Sequence, residues 1–140
     1  MSANNEKPFC WPVRVYYEDT DAQGVVYYAN YFRFMERART EWLRSLGVNM
    51  LQLADDERRI FVVAELQARF LAPARLNDEL TITARLTNLT RVSFDIEQNI
   101  YRGDIEGELL ISGLVKAAYL DADSMRPKRI PPTLFGNNQS

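Results

Sequence analysis

Residues 29–47, ANYFRFMERARTEWLRSLG, decide the architecture. Tyr31, Phe34, Met35, Ala38, Trp42, Leu43 and Leu46 recur at the i, i+3, i+4, i+7 spacing that puts apolar side chains on one helix face. Gly47 follows as the residue that ends such a helix just past its cap. The opposite face carries Arg33, Glu36, Arg37, Arg39, Glu41 and Arg44, with Arg37 and Glu41 spaced for an i, i+4 ion pair. That face is expected to meet water or a partner, while the wide aromatic stripe needs a broad apolar surface to cover it.

The flanking sequence supplies that surface. Val13–Tyr17 mixes apolar and polar residues with β-branched and aromatic types and reads as a strand, which Ala22–Gly24 breaks. Asn49–Arg59 reads as a helical turn. Four strand-like runs follow: Ile60–Phe70, Glu79–Leu89, Arg91–Tyr101 and Glu106–Leu120. Leu80, Ile82, Ala84 and Leu86 alternate with Thr81, Thr83, Arg85 and Thr87, and Val92, Phe94 and Ile96 alternate with Ser93, Asp95 and Glu97, so one face is buried and one polar. Turn residues at Pro73–Asp78, Asn88–Thr90 and Arg102–Asp104 make short links, which predict antiparallel neighbours. One strand, one long amphipathic helix and several antiparallel strands define an α+β class. The helix can bury its stripe against that sheet only if the sheet curls around it.

At 140 residues the chain is expected to be a single domain, with about residues 1–10 and the polar ending, about 133–140, flexible. A net charge of −2 removes the basic footprint that nonspecific nucleic-acid binding requires. The opening MSANNEKPF lacks the features of a signal peptide, and no apolar run reaches the ~18 residues of a membrane span, so a cytoplasmic location without a membrane span is expected. The single cysteine, Cys10, is read as a spectator thiol. The absence of histidine is the strongest restriction, because it removes Ser-His-Asp and Cys-His chemistry and His-ligated zinc. Any chemistry rests on carboxylates, hydroxyls, amines or the backbone.

Glu18, Asp19 and Asp21 crowd the segment YYEDTDAQGVVYY between strand and helix. Asp19, Asp21 and Gly24 fit the first, third and sixth positions of a calcium loop, but Gln23 and Asn30 occupy the fifth and twelfth and a strand precedes it, so no metal is assigned. Two readings remain. The acids decorate a solvated turn that favours the positive end of the helix dipole, or Asp21 faces a pocket floored by the N-terminus of the Tyr28–Leu46 helix, whose free N–H groups polarise a carbonyl. Tyr27, Tyr28, Tyr31 and Phe32 are either core residues or the lining of an acyl pocket. Gly24 lets the chain turn sharply between Asp21 and the helix.

The run Y-x-D-T-D-x-x-G-V-V-Y-x-A-N-Y-x-x-[FW]-x-E-x-A-R, here Tyr17–Arg39, resembles the signature of the hotdog-fold 4-hydroxybenzoyl-CoA thioesterase family. WPVRVYYEDTDAQGVVY and FLAPARLNDELTI resemble its Tol-Pal-associated acyl-CoA thioesterase subgroup, the YbgC type. The resemblance runs from about Trp11 to Pro131. It implies a hotdog, with a long central helix wrapped by a curled antiparallel sheet. It also implies hydrolysis of acyl-CoA to a free acid and coenzyme A without metal or cofactor, coenzyme A being part of the substrate.

Within that resemblance Asp21 is the catalytic carboxylate, as nucleophile or general base, and Asp19 a turn residue. The main-chain N–H of Tyr28 polarises the carbonyl. Some subgroup members carry His at that position, and a main-chain role survives the change. Arg91 matches a place where the family carries phosphate-binding residues, and with Gly24 it completes the candidate substrate-binding set. Arg126, Lys128 and Arg129 form a second basic cluster, which surface solubility also explains. A homodimer or homotetramer with a shared pocket is expected. The alternatives are a non-catalytic or dehydratase-like hotdog that binds acyl thioesters, and a scaffold for envelope or lipid-synthesis proteins.

Overall fold

The computed structural model describes residues 7–135. In chain order it contains β1 (Phe9–Arg14), a 3-10 turn (Tyr17–Asp19), α1 (Tyr28–Ser45), α2 (Met50–Glu57), β2 (Arg59–Phe70), β3 (Glu79–Leu89), β4 (Ser93–Arg102) and β5 (Leu109–Asp121). The strands form one sheet in the order β1-β3-β4-β5-β2, with every neighbouring pair antiparallel.

Tyr31, Phe34, Met35, Ala38, Trp42 and Leu43 are the buried residues of α1, as their spacing predicts. At its end the Val48 N–H donates to the Leu43 carbonyl and the Gly47 N–H to the Arg44 carbonyl, both at 3.0 Å, the Schellman pattern. Asn49 caps α2 by accepting the Gln52 N–H at 3.0 Å. All five strands contribute to the cluster around the first half of α1, through Trp11 and Val13, Leu66 and Ala68, Leu80 and Ile82, Ile100, and Val115. Five strands about 4.8 Å apart span about 19 Å, nearly twice the ~10 Å diameter of a helix, so only a curled sheet brings both flanks to one helix. This is the hotdog arrangement. A second cluster covers the other half of α1, where Trp42 and Leu43 meet Phe94, Tyr119, Leu53 of α2 and the C-terminal Ile130 and Phe135.

One polar group enters this core. Gln98 of β4 is fully buried, donates to the Met35 carbonyl at 2.9 Å and accepts from Arg39 at 2.9 Å. Beside it Gly113 of β5 pairs with Gln98, and a methyl group there would lie 2.7 Å from the Gln98 carbonyl oxygen and 2.8 Å from Met35 Cε. The methionine end can move, but the strand backbone cannot. Gly113→Ala is therefore expected to destabilise the protein by about 1–3 kcal/mol, the usual range for overpacking a core, as measured by denaturant unfolding. Unchanged stability would show that the strand pair gives way freely.

Several expectations need correction. The first strand is Phe9–Arg14 and not Val13–Tyr17, because the Tyr16 N–H donates to the Asp19 carboxylate at 2.9 Å and closes a 3-10 turn where strand would continue. Near the two ends, Phe9 pairs with Ala84, and Phe135 is 2% exposed and stacks on Trp42. Residues 1–6 and 136–140 lie outside the described residues. Pro73–Asp78 does not join neighbouring strands, since β4 and β5 lie between β3 and β2 in the sheet. Instead the link crosses the helix start, where the Ala74 N–H donates to the Tyr31 hydroxyl at 2.9 Å and Val25 bridges Arg75. Arg91 lies in the turn before β4 and does not open it, and β5 starts at Leu109.

The polar face of α1 also differs from its helical wheel. Arg39 turns inward to Gln98, where burial lowers its pKa and Glu36 partly offsets that loss. Glu41 pairs with Arg44 at 2.5 Å, one turn on, in place of Arg37.

Candidate active site

The three crowded acids have three different surroundings. Asp19 is a knot in the backbone: its carboxylate accepts the Tyr16 N–H at 2.9 Å, and its carbonyl accepts the Tyr27 N–H at 3.1 Å and the Asn30 amide at 2.9 Å. It ties the turn to the first residues of α1. Glu18 is exposed. Asp21 is exposed too, but one carboxylate oxygen, Oδ1, accepts the Gln23 N–H at 2.8 Å, which orients the side chain, and the second oxygen has no hydrogen-bond partner among the described residues.

The strand-like pieces on either side hold this loop in shape. The Asp21 N–H donates to the Val25 carbonyl at 2.9 Å, the Gly24 N–H to the Asp21 carbonyl at 3.0 Å, and Thr20 bridges Val26. Gly24 has φ +80°, and a methyl group added there would meet nothing within 4 Å, so its role is conformational: its freedom at positive φ lets this small hairpin close. Its carbonyl also accepts the Leu76 N–H at 3.3 Å, joining the hairpin to the link between β2 and β3.

Tyr28 is the first residue of α1, and no side chain caps the helix at Tyr27. The helix start is thus a donor site with a positive partial charge. Tyr28 also lines a groove of about 570 Å³ together with Val26, Tyr31, Phe70, Leu71 and Pro73. Tyr31 is 3% exposed and belongs to the core, yet it also lines this groove, while Phe32 packs on Phe70 at 6.3 Å between ring centres. Of the cluster, Tyr31 is thus a core residue that also lines the groove, and Tyr28 lines it from the exposed side. Burial pushes the Tyr31 hydroxyl pKa up, so the group stays protonated.

Arg91 is at the other end of the sheet. It sits in the turn after β3, an eleven-residue strand whose opposite end lies beside Val15 and the acid turn, about 35 Å away at strand rise. The structure does bring Arg91 to the second basic cluster. The Ile130 N–H donates to the Arg91 carbonyl at 2.7 Å, and the Lys128 N–H to the Tyr119 carbonyl at 2.9 Å, so Arg91, Arg126, Lys128 and Arg129 share one exposed loop cluster. Among the described residues none of the four makes a salt bridge. Phe70 and Leu71 were not legible as groove residues, because an apolar pair closing a strand reads as ordinary sheet.

Among the described residues no group of His, Cys, Asp and Glu is placed to hold a metal ion, and no helix is long and apolar enough to cross a membrane.

Comparison with known proteins follows the same lines. The chain is 42% identical over 130 residues to an acyl-CoA thioester hydrolase, YbgC, of Escherichia coli O6:H1, covering 93% of this chain and 95% of that protein. A solved structure of a probable thioesterase from Bartonella henselae is 36% identical, covers 89% of this chain and 100% of its own, and superimposes with a TM-score of 0.83. The 4-hydroxybenzoyl-CoA thioesterase of a Pseudomonas species reaches the same TM-score at 21% identity, over 92% of this chain and 97% of its own, and shares the fold. The thioesterase superfamily matches residues 23–108, which include Gly24, the whole of α1 and strands β2, β3 and β4. With more than half its length matched and a relative aligned over nearly the full length of both chains, the chain belongs to the thioesterase superfamily.

Proposed function

We propose that the chain hydrolyses acyl-CoA thioesters to a free carboxylic acid and coenzyme A, with Asp21 as the acting carboxylate. The observation that carries this reading is the Asp21 side chain, held through one oxygen by the Gln23 N–H and free at the other, on a hairpin that leads into an uncapped helix start. The name of the Escherichia coli relative points to the same substrate class. In this reading the first N–H groups of α1, that of Tyr28 foremost, receive the thioester oxygen as it becomes negative. Asp21 either takes a proton from a water that adds to the carbonyl carbon, or adds itself and is released from the resulting anhydride by water. In both routes the carbon–sulfur bond breaks and the sulfur leaves as the thiol of coenzyme A. Water is the one co-reactant, and no cofactor enters.

The phosphates of coenzyme A are assigned to Arg91, Arg126, Lys128 and Arg129, whose charges have no partner of their own among the described residues. The distance from this cluster to Asp21 in one chain argues for a second copy. Of the two sheet edges, β1 is six residues long and contains Pro12, which cannot donate, while β2 is twelve residues long with Val63 exposed. Pairing β2 with its symmetry mate, antiparallel, sets the Phe70 end of one chain against the Arg59 end of the other. The basic cluster is at the Arg59 end, because Arg59 pairs with Asp121 and the Asp121 N–H donates to the Arg126 carbonyl at 2.9 Å. A dimer built this way places one chain's Asp21 and its mate's phosphate cluster on the same side of the joint sheet.

Steady-state hydrolysis of paired substrates tests the reading. Purified protein is expected to cleave acyl-CoA and acyl-pantetheine, and Arg91→Ala to raise KM for the coenzyme A thioester about tenfold while the pantetheine thioester stays within about twofold, since a phosphate contact acts only on a phosphate. Equal losses on both would make Arg91 a structural residue, and no cleavage of either would overturn the hydrolase reading.

A further inference from the structure

The link between β2 and β3, residues 71–78, supports the hairpin that carries Asp21, and main-chain contacts join the two. The Val26 N–H donates to the Ala74 carbonyl at 2.9 Å, the Leu76 N–H to the Gly24 carbonyl at 3.3 Å, and Val25 bridges Arg75. Because the Ala74 N–H is itself bonded to the Tyr31 hydroxyl, link, hairpin and helix start are one connected unit. Whatever fixes the link fixes the hairpin.

Asp78 closes the end of the link: its carboxylate accepts the Arg75 N–H at 2.8 Å, and its N–H donates to the Arg75 carbonyl at 3.0 Å. The other hold comes from the sheet. Arg102, the last residue of β4, reaches both ends of the link at once, with Nη1 paired to the Asp78 carboxylate and Nη2 donating to the Pro73 carbonyl at 2.9 Å. Its own position is set by Glu108, whose carboxylate lies 3.3 Å from Nε and whose carbonyl accepts the Arg102 N–H at 2.9 Å. A planar guanidinium has an arm for each end of the link, which a single ammonium group lacks. Arg14 of β1 touches the link only at the Asn77 carbonyl, at 2.9 Å, from a side chain 48% exposed, whereas the Arg102 and Asp78 side chains are 32% and 21% exposed. The Arg102 clamp is therefore the less screened of the two.

We infer that Arg102 is a positioning residue for the hydrolysis: through Pro73 and Asp78 it fixes the link, and through the link it fixes the hairpin that presents Asp21 to the start of α1. This rests on the hydrolase reading above. Among the described residues Arg102 makes no hydrogen bond to the hairpin, so its influence runs through the link. The physical basis is alignment, since displacing a reacting group by about 1 Å costs up to about 100-fold in rate.

The test compares wild type, Arg102→Ala, Arg102→Lys and the control Arg85→Ala, which removes a cross-strand pair to Glu97 at 3.0 Å that does not involve the link. Arg102→Ala is expected to lower kcat about tenfold on acyl-CoA and acyl-pantetheine alike, with KM within about twofold, and Arg102→Lys about threefold. Arg85→Ala should leave kcat within about twofold. In the Asp21→Asn background Arg102→Ala should cost less than about twofold, because a residue that acts by placing a carboxylate has nothing to place once it is gone. Amide hydrogen exchange supplies a readout apart from activity: the Val26 and Leu76 N–H groups should exchange at least about tenfold faster in Arg102→Ala than in wild type or Arg85→Ala. Thermal unfolding shows which variants are folded, and Arg102→Lys carries the same comparisons if Arg102→Ala is not. Unchanged kcat or unchanged exchange in a folded variant, or a loss that persists in full without Asp21, would overturn the positioning role and leave the hydrolase reading in place. Wild-type protein without turnover on any thioester would overturn that reading and this one with it.

Discussion

Asp21→Asn is expected to lower kcat on acyl-CoA by at least about 100-fold while the protein keeps its fold, the lower end of what removing a positioned acid-base group costs. The substitution is chosen for what it preserves. An asparagine oxygen can still accept the Gln23 N–H that Asp21 Oδ1 accepts at 2.8 Å, so the hairpin from Thr20 to Val26 keeps its local bonds. What it removes is the negative, basic oxygen on the free side of the group. Asp19→Asn is the matched control: its side chain accepts the Tyr16 N–H, a bond that an amide also makes, and its carbonyl bonds to Tyr27 and Asn30 are unaffected. It should change kcat only a few-fold. Circular dichroism and unfolding curves establish that both variants are folded, and retained turnover in folded Asp21→Asn protein would remove Asp21 from the mechanism.

Mixing two impaired chains should give a protein more active than either parent. One parent carries Asp21→Asn, and the other replaces Arg91, Lys128 and Arg129 with alanine. If each site takes its carboxylate from one chain and its phosphate contacts from the mate, a mixed dimer has one intact site and one doubly damaged site. Random reassembly makes about half the dimers mixed, so kcat/KM at low substrate should recover to about one quarter of the wild-type value. Sites contained within one chain would give no more than the average of the two parents. The same samples should sediment without monomer at micromolar concentration, because β2 exposes a long unpaired edge. An active monomer would sink the shared-site arrangement, whereas a dimer without recovery would retain the β2 pairing and reassign the phosphates to the same chain.

The sequence by itself determined the elements whose signal is local. The 3.6-residue recurrence from Tyr31 to Leu46 defined α1 and its buried face, because side chains one turn apart share a surface wherever the helix lies. Alternation gave β3 in full, and the conflict between one wide helical stripe and several strands gave the curled sheet. The resemblance carried by Tyr17–Arg39 pointed to Asp21 as the candidate carboxylate, while the bonds that separate it from Asp19 were legible only as a crowding of acids. Strand order, by contrast, depends on pairing between distant segments. Pro73–Asp78 has the same turn chemistry as a hairpin link, and only the tertiary structure shows Ala74 bonded to Tyr31 and Arg75 bridged to Val25, with β4 and β5 lying between β3 and β2. Tertiary structure likewise turned Arg39 from the polar face toward Gln98, 59 residues on, since a helical wheel counts directions and not neighbours. It joined Arg91 to Arg129 through the Ile130–Arg91 bond, and it made Phe70 the rim of a groove. The periodicity of a segment records which of its faces is buried. Which residue lies across from that face is set by sheet register and chain crossing, and these depend on contacts that no single stretch of sequence contains.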